Sequence, residues 1–220
     1  METPLALIFD LDGTLIDSAP DIRALANRLL SEMDCAPVDL AETHSFIGNG
    51  ATAFIEKMRI ARNIPEAEHD RLLSDFVSGY DTAVGLTRPY PGVVKALDAL
   101  AGEGRSLGIC TNKPARPARA VLQHLGLIDR FGTVVGGDTA ATRKPDTAPL
   151  LMAFAALGEG PCLYVGDSEV DAETAQRAGV PFLLFTGGYR KSPVEEIPHD
   201  AAFAKFDALP ELVQARSLSG

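Results

Sequence analysis

The apolar positions of the chain change their period twice. Leu5 to Phe9 is an unbroken apolar run that stops at Asp10, the pattern of a strand buried on both faces of a parallel sheet. From Ser18 the period becomes helical. Ser18 is the expected N-cap, Asp21 stands three residues on in a capping-box arrangement, and Ile22, Leu25, Ala26, Leu29, Leu30 and Met33 form one apolar face. Up to about Gly85 the spacing predicts only helices: a short one over 39–46, one over Ala51 to Arg62 after the Gly48-Asn49-Gly50 turn, and a longer one after Pro65 with Leu72, Leu73, Phe76, Val77 and Tyr80 as its stripe. After Arg88-Pro89-Tyr90-Pro91-Gly92 the texture changes again. Helices near 93–100, 115–125, 147–157 and 172–178 alternate with strands near 106–110, 131–135, 162–165 and 181–185, and a strand near 202–204 and a short helix close the chain.

Alternating strand and helix imply a parallel sheet covered on both faces, a Rossmann-like α/β core. The helical block is then an insertion after the first strand. The expected division is a core of residues 1–16 and 88–220 and a helical cap of residues 17–87. The length of 220 residues suits one core domain with a smaller satellite. No apolar run approaches the roughly 18 residues of a spanning helix. No basic segment precedes Leu5 to Phe9 and no small-residue cleavage site follows it, so a buried strand is expected rather than a signal peptide, and a cytoplasmic location with it. The net charge of −10 disfavours nucleic acid and anionic lipid as partners. Cys35, Cys110 and Cys162 form no CxxC pair and read as small apolar residues. His44, His69, His124 and His199 lie at no metal-ligand spacing.

In an open parallel sheet ligands sit at the carboxyl ends of the strands. Asp10-Leu11-Asp12-Gly13-Thr14 follows the first strand, Thr111-Asn112-Lys113 the second, and Gly166-Asp167-Ser168-Glu169-Val170-Asp171 the fourth. Arg143-Lys144-Pro145 stands beyond the third, at the entry to a helix. Each string alone has a plain structural reading, as a turn, a helix cap, a surface lysine or a helix N-terminus. Together they bring four acids to one edge. Asp10 and Asp12, two apart in extended chain, address one centre. Such a cluster needs positive charge. A hard divalent cation with oxygen ligands, Mg²⁺, is the expected partner, with Lys144 as a second cation.

With these four segments in order, the chain resembles the haloacid dehalogenase superfamily, and its helical insertion resembles that superfamily's C1-type cap. More narrowly, the strings are similar to those of the phosphoglycolate phosphatase branch. They are Phe46-Ile47-Gly48-Asn49-Gly50, Tyr90-Pro91-Gly92-Val93, Thr111-Asn112-Lys113-Pro114, Gly136-Gly137-Asp138 and Gly187-Gly188-Tyr189. The resemblance implies a Mg²⁺-dependent phosphoric monoester hydrolase acting through an aspartyl-phosphate on a small phosphorylated substrate. Asp10 would be the nucleophile and Asp12 the general acid and base. The metal would take the side chains of Asp10 and Asp167 and the main-chain carbonyl of Asp12, with Asp171 as an outer acid orienting Lys144 or a bound water. Whether Asp12 holds a proton at rest stays open at this stage. Thr111, Asn112 and Lys144 are the expected holders of phosphoryl oxygens. Gly48, Asn49 and Gly50, at a helix N-terminus, are expected to receive the small carboxylate of the substrate, with a plain helix–helix turn as the alternative. Lys57, Arg59 and Arg62 read as a solvated face. A dehalogenase is disfavoured because that branch lacks the second acid, here Asp12. A phosphohexose mutase and a non-catalytic phospho-ligand sensor remain as alternatives.

Overall fold

A computed structural model of the chain describes residues 5–217. Residues 1–4, part of the segment read for a leader, lie outside the described residues. Six parallel strands form one sheet: β1 (Ala6–Phe9), β4 (Ser106–Cys110), β5 (Thr133–Val135), β6 (Cys162–Gly166), β7 (Phe182–Phe185) and β8 (Ala201–Phe203). Their order is β5-β4-β1-β6-β7-β8. The first strand is therefore central, with Ile8 paired to Gly108 on one side and Tyr164 on the other. The chain winds outward in both directions from it, and that reversal opens a crevice at the carboxyl ends.

The continuous apolar run of β1 is explained by its two covered faces. Leu7 and Phe9 pack on one side, in a cluster with Leu97 and Leu100 of α5 (Val93–Gly102), Val121 of α6 (Ala115–His124) and Val213 of α9 (Leu209–Ser217). Ala6 and Ile8 pack on the other, with Leu150 and Phe154 of α7 (Ala148–Leu157) and Ala172 of α8 (Glu169–Ala178). Leu7, Ile8 and Phe9 are fully buried. Each contributes about 1.5–3 kcal/mol by leaving water, so the strand that carries Asp10 is among the best-anchored pieces of chain.

The helical block comprises α1 (Ala19–Ser31), α2 (Leu40–Phe46), α3 (Gly50–Ala61) and α4 (His69–Tyr80), the last preceded by a 3₁₀ turn over Glu66–Glu68. It holds a separate apolar cluster around Leu25, Leu29, Phe54, Met58, Leu72 and Phe76. Lys57, Arg59 and Arg62 are not merely solvated. Arg62 donates to Glu42 at 2.7 Å and to the Ala36 and Pro37 carbonyls, Arg59 to the Ile64 carbonyl, and Lys57 to the Ser45 carbonyl.

Two expectations are corrected here. The helical block is bounded by a small antiparallel pair, β2 (Ile16–Asp17) with β3 (Arg88–Pro89), where the sequence pattern shows no strand. Two-residue strands carry no readable period. The Ser18–Asp21 capping box is also absent. Ser18 is the N-cap of α1 but makes no side-chain cap bond. Asp21 instead accepts from the main-chain N–H groups of Leu86 and Thr87 and from the Thr87 hydroxyl, the last two at 2.6 Å, which ties the two chain crossings together. The three cysteines are free; Cys110 is buried, and Cys35 and Cys162 are half-buried. Among the described residues no helix is long and apolar enough to cross a membrane.

Candidate active site

The four polar segments meet at the carboxyl end of β1. Asp10 follows that strand directly, and its neighbours β4 and β6 deliver Thr111-Asn112-Lys113 and Asp167 from either side. Lys144 reaches in from the loop before α7. Its Nζ lies 2.9 Å from Asp10 Oδ1 and 2.6 Å from Asp171 Oδ1. It also donates to the Tyr164 hydroxyl at 2.9 Å. Tyr164 in turn donates to Asp171 Oδ1 at 2.6 Å. Asp171 Oδ2 accepts from the main-chain N–H of Asp167 and from the N–H and hydroxyl of Ser168. Both oxygens of Asp171 are thus occupied within the protein.

Asp167 is held differently. Its Oδ1 accepts from the Thr14 hydroxyl at 2.7 Å and its Oδ2 from the Tyr189 N–H at 2.6 Å. Gly13 makes this possible: its φ is +88°, and a Cβ there would stand 2.6 Å from Asp167 Oδ2 and 2.8 Å from the Tyr189 ring. Asp12 faces the other way. It accepts from the Ser18 hydroxyl at 2.6 Å and from Lys113 Nζ at 3.1 and 3.2 Å.

The electrostatics follow from burial. Desolvation pushes the Asp10 carboxyl up to about 7, with Lys144 opposing and Asp171 adding to the rise. Burial, and then the charges of Asp171 and Asp10, raise Asp167 well above the carboxylate range. Burial works the same way on Asp171 but is outweighed by Lys144 and by its hydrogen bonds, which lower it. For Lys144 burial favours the neutral form, yet Asp10 and Asp171 outweigh it and hold the ammonium charged.

Asp10, Asp167 and Asp171 each offer a carboxylate oxygen within 4.8 Å of the others. Asp10 Oδ1 is buried and has no aimed hydrogen-bond donor, for all its closeness to Lys144. One ammonium does not balance three buried carboxylates that converge in this way. An oxygen-only donor set fits a hard divalent ion. Asp10 and Asp167 have lone pairs to give it, and Asp171 is already satisfied.

Of the residues singled out by sequence, Asp10, Asp12, Thr111 and Asn112 line one cavity. Asp10 and Asp12 also line a second, smaller one with Asp167 and Ser168. Thr111 Oγ1 accepts from the Lys113 N–H at 3.2 Å. Asn112 Nδ2 donates to the Lys144 carbonyl and to the Gly48 carbonyl, each at 3.0 Å, so it joins the core loops to the cap. Gly48 and Gly50 line the larger cavity; Asn49 is not among its lining residues.

Four participants were not assigned from sequence. Tyr164 sits in the apolar run of β6 and reads as core. Thr14 and Lys113 flank recognised residues and read as turn and helix entry. Tyr189 ties several elements together. Its hydroxyl accepts from the N–H groups of Ser18 and Ala19 and donates to Asp17, and its ring stacks on His44 of α2 at 4.7 Å. The sole signal for it was the Gly187-Gly188-Tyr189 string, which located the residue without showing what it touches.

A six-stranded parallel sheet with carboxylates and a lysine gathered at its switch point, and a helical block inserted after its first strand, defines a class of α/β protein. The profile of the haloacid dehalogenase-like hydrolases matches residues 7–185, and the chain belongs to that family. It is 47% identical over 211 residues to a phosphoglycolate phosphatase of Cereibacter sphaeroides, covering 94% of this chain and 97% of that one. It is 46% identical to one of Rhodobacter capsulatus, covering 95% and 96%. A crystal structure described as a predicted phosphoglycolate phosphatase from Haemophilus somnus superimposes with a TM-score of 0.89 at 28% identity, covering 94% of this chain and 97% of that one.

Proposed function

We propose that the protein is a Mg²⁺-dependent phosphatase of small phosphomonoesters, with 2-phosphoglycolate as its substrate. The observation that carries the chemistry is the Asp10 carboxylate, buried at the end of the central strand, clustered with Asp167 and Asp171 and with the Lys144 ammonium at 2.9 Å. The choice of substrate is supported by the relatives above, which carry that name across nearly the whole chain.

Asp10 attacks the phosphorus and forms an aspartyl-phosphate. Asp12 gives a proton to the departing ester oxygen. It then takes one from the water that attacks the phosphorus and releases inorganic phosphate, with Asp10 regenerated. The side chains of Asp10 and Asp167 and the main-chain carbonyl of Asp12 would hold the metal, whose charge would offset that of the carboxylates and the phosphoryl group. Lys144, the Thr111 hydroxyl and the Asn112 N–H hold phosphoryl oxygens, so that catalysis is largely positioning and charge stabilisation. Asp171 and Tyr164 fix the Lys144 ammonium. The cap, residues 17–87, closes over the substrate, and the loop Gly48, Asn49 and Gly50 at the start of α3 receives its far end through main-chain N–H groups.

The test is a panel of small phosphomonoesters assayed with and without Mg²⁺. Phosphoglycolate should be preferred and turnover should need the metal. Asp10→Asn should give almost no turnover while phosphate and Mg²⁺ still bind. Near-normal turnover in that variant ends the nucleophile assignment.

A further inference from the structure

We propose that Lys113 pairs with the substrate's carboxylate alongside the Gly48–Gly50 loop of the same cavity, exchanging its ion pair with Asp12 for one with the bound ligand. The inference rests on the phosphoglycolate reading and adds to it the cation that selects this ester over phosphomonoesters lacking a carboxylate.

Among the described residues the buried cations are Lys113 and Lys144. Lys144 is spent on Asp10, Asp171 and Tyr164, beneath the phosphoryl position. Lys113 lines the larger cavity, where its side chain is 3% exposed. It is the cation lining that cavity, whose cap side is formed by apolar residues such as Ile22, Phe54 and Phe76. Its Nζ is 3.1 Å from Asp12 and 3.9 Å from the centroid of the Tyr80 ring on α4. The ammonium thus sits between the general acid, which belongs to the core, and an aromatic face that belongs to the cap.

The chemistry of the ester fixes what must lie there. In phosphoglycolate the carboxylate is joined to the ester oxygen through a single methylene. A ligand whose ester oxygen faces Asp12 therefore carries its carboxylate into the neighbourhood of whatever adjoins Asp12, and that is Lys113. Of the other cations near the cap loop, Lys57 donates to the Ser45 carbonyl and Lys191 to the Ile47 carbonyl, while the Arg143 guanidinium stands beside Gly50 but does not line the cavity. A buried lysine–aspartate pair adds little stability over an apolar pair of the same size, so packing alone does not account for this one. In the exchange the ammonium keeps a carboxylate partner and its place over Tyr80, and the Asp12 carboxylate it releases takes up a proton from water and turns it toward the ester oxygen. An ester without the carboxylate offers no replacement partner and leaves the resting pair intact.

The experiment compares kcat/KM for 2-phosphoglycolate and for 2-hydroxyethyl phosphate, which keeps the ester and lacks the carboxylate. Wild type should prefer phosphoglycolate. In K113M the ratio of the two should fall about 10- to 100-fold, the range for losing one charged hydrogen bond, mainly through KM for phosphoglycolate. An unchanged ratio, whether both activities persist or both are lost equally, overturns the inference and leaves Lys113 as a support for Asp12. Inhibition of wild type gives a second readout that needs no variant: glycolate should compete more tightly than its amide, glycolamide, and equal inhibition overturns the inference. If wild type hydrolyses other phosphomonoesters and rejects phosphoglycolate, the substrate reading falls and this inference falls with it; a retained preference in K113M removes this inference alone.

Discussion

Lys144 and Asp171 form the most tightly specified contact at the site, at 2.6 Å and with both side chains almost fully buried. Removing one member of such a pair strands the other charge, which costs about 3–5 kcal/mol. Asp171→Asn should therefore lower thermal stability by several degrees in a melting experiment and reduce kcat, because Lys144 loses the partner that aims it. A glycine sets a second residue-scale limit. Gly13→Ala would have to adopt φ +88° and displace the Asp167 carboxylate, 2.6 Å from the new Cβ. We expect loss of most turnover and weaker Mg²⁺ binding, read by activity and by metal titration. Wild-type metal affinity in that variant would show that Asp167 is not constrained from this side.

Elements meet through single polar side chains at their ends. Asp138, after β5, accepts the Ala115 N–H at 2.7 Å and so caps α6. Asp200, just before β8, accepts the Phe182 N–H of β7 and the Arg216 guanidinium of α9, each at 2.8 Å. Burial works to raise the Asp200 carboxyl, but these donors outweigh it and its pKa is lowered. A carboxylate with a depressed folded-state pKa contributes stability above its unfolded value of about 3.9, and that contribution is lost as pH falls through the folded value. Asp200→Asn should accordingly melt below wild type at neutral pH, by a small margin because the pair is partly exposed. The gap should close as the pH drops below about 4. A gap that persists there would mean that the carboxylate charge is not what ties these elements. Tyr189 plays a comparable part beside the helical block, since its hydroxyl bonds the start of α1 and Asp17, whereas its contact with Asp167 is made by the main-chain N–H. Tyr189→Phe should loosen the boundary and leave Mg²⁺ affinity near that of wild type.

At the scale of the molecule, core and cap have separate apolar clusters, and the crevice between them gathers acids with raised pKa values. Bringing these acids together works against folding, and a bound cation reverses that. A ligand present at 100 times its Kd stabilises the folded state by about 2.7 kcal/mol. For a chain of this size that amounts to roughly 5–10 °C in Tm. Mg²⁺ should raise the Tm of wild type after chelator treatment by an amount of this order, and should do much less for Asp167→Asn. Equal shifts in both proteins would place the metal elsewhere.

Much of this was legible in the chain. The strand Leu5 to Phe9 ending at Asp10 needed only an unbroken apolar run, and the six-stranded core needed only the alternation of two periods. Asp10, Asp12 and Asp167 could be gathered because they follow strand ends that a parallel sheet sends to one edge, and Lys144 because it lies in the loop that leaves another strand at that edge. Residues whose importance lies in what they touch across the fold were not legible. Tyr164 has the same apolar neighbours as any core residue, Lys113 looks like a helix entry, and the Ser18–Asp21 pair has the spacing of a capping box yet serves Asp12 and the Leu86–Thr87 crossing instead. By itself the sequence determined the order of elements and the edge on which the acids fall, because both follow from period and direction along one chain. The tertiary structure alone decided which lysine sits among Asp10, Asp171 and Tyr164 and which pairs with Asp12 against Tyr80, because these depend on distances between segments that the chain order leaves open.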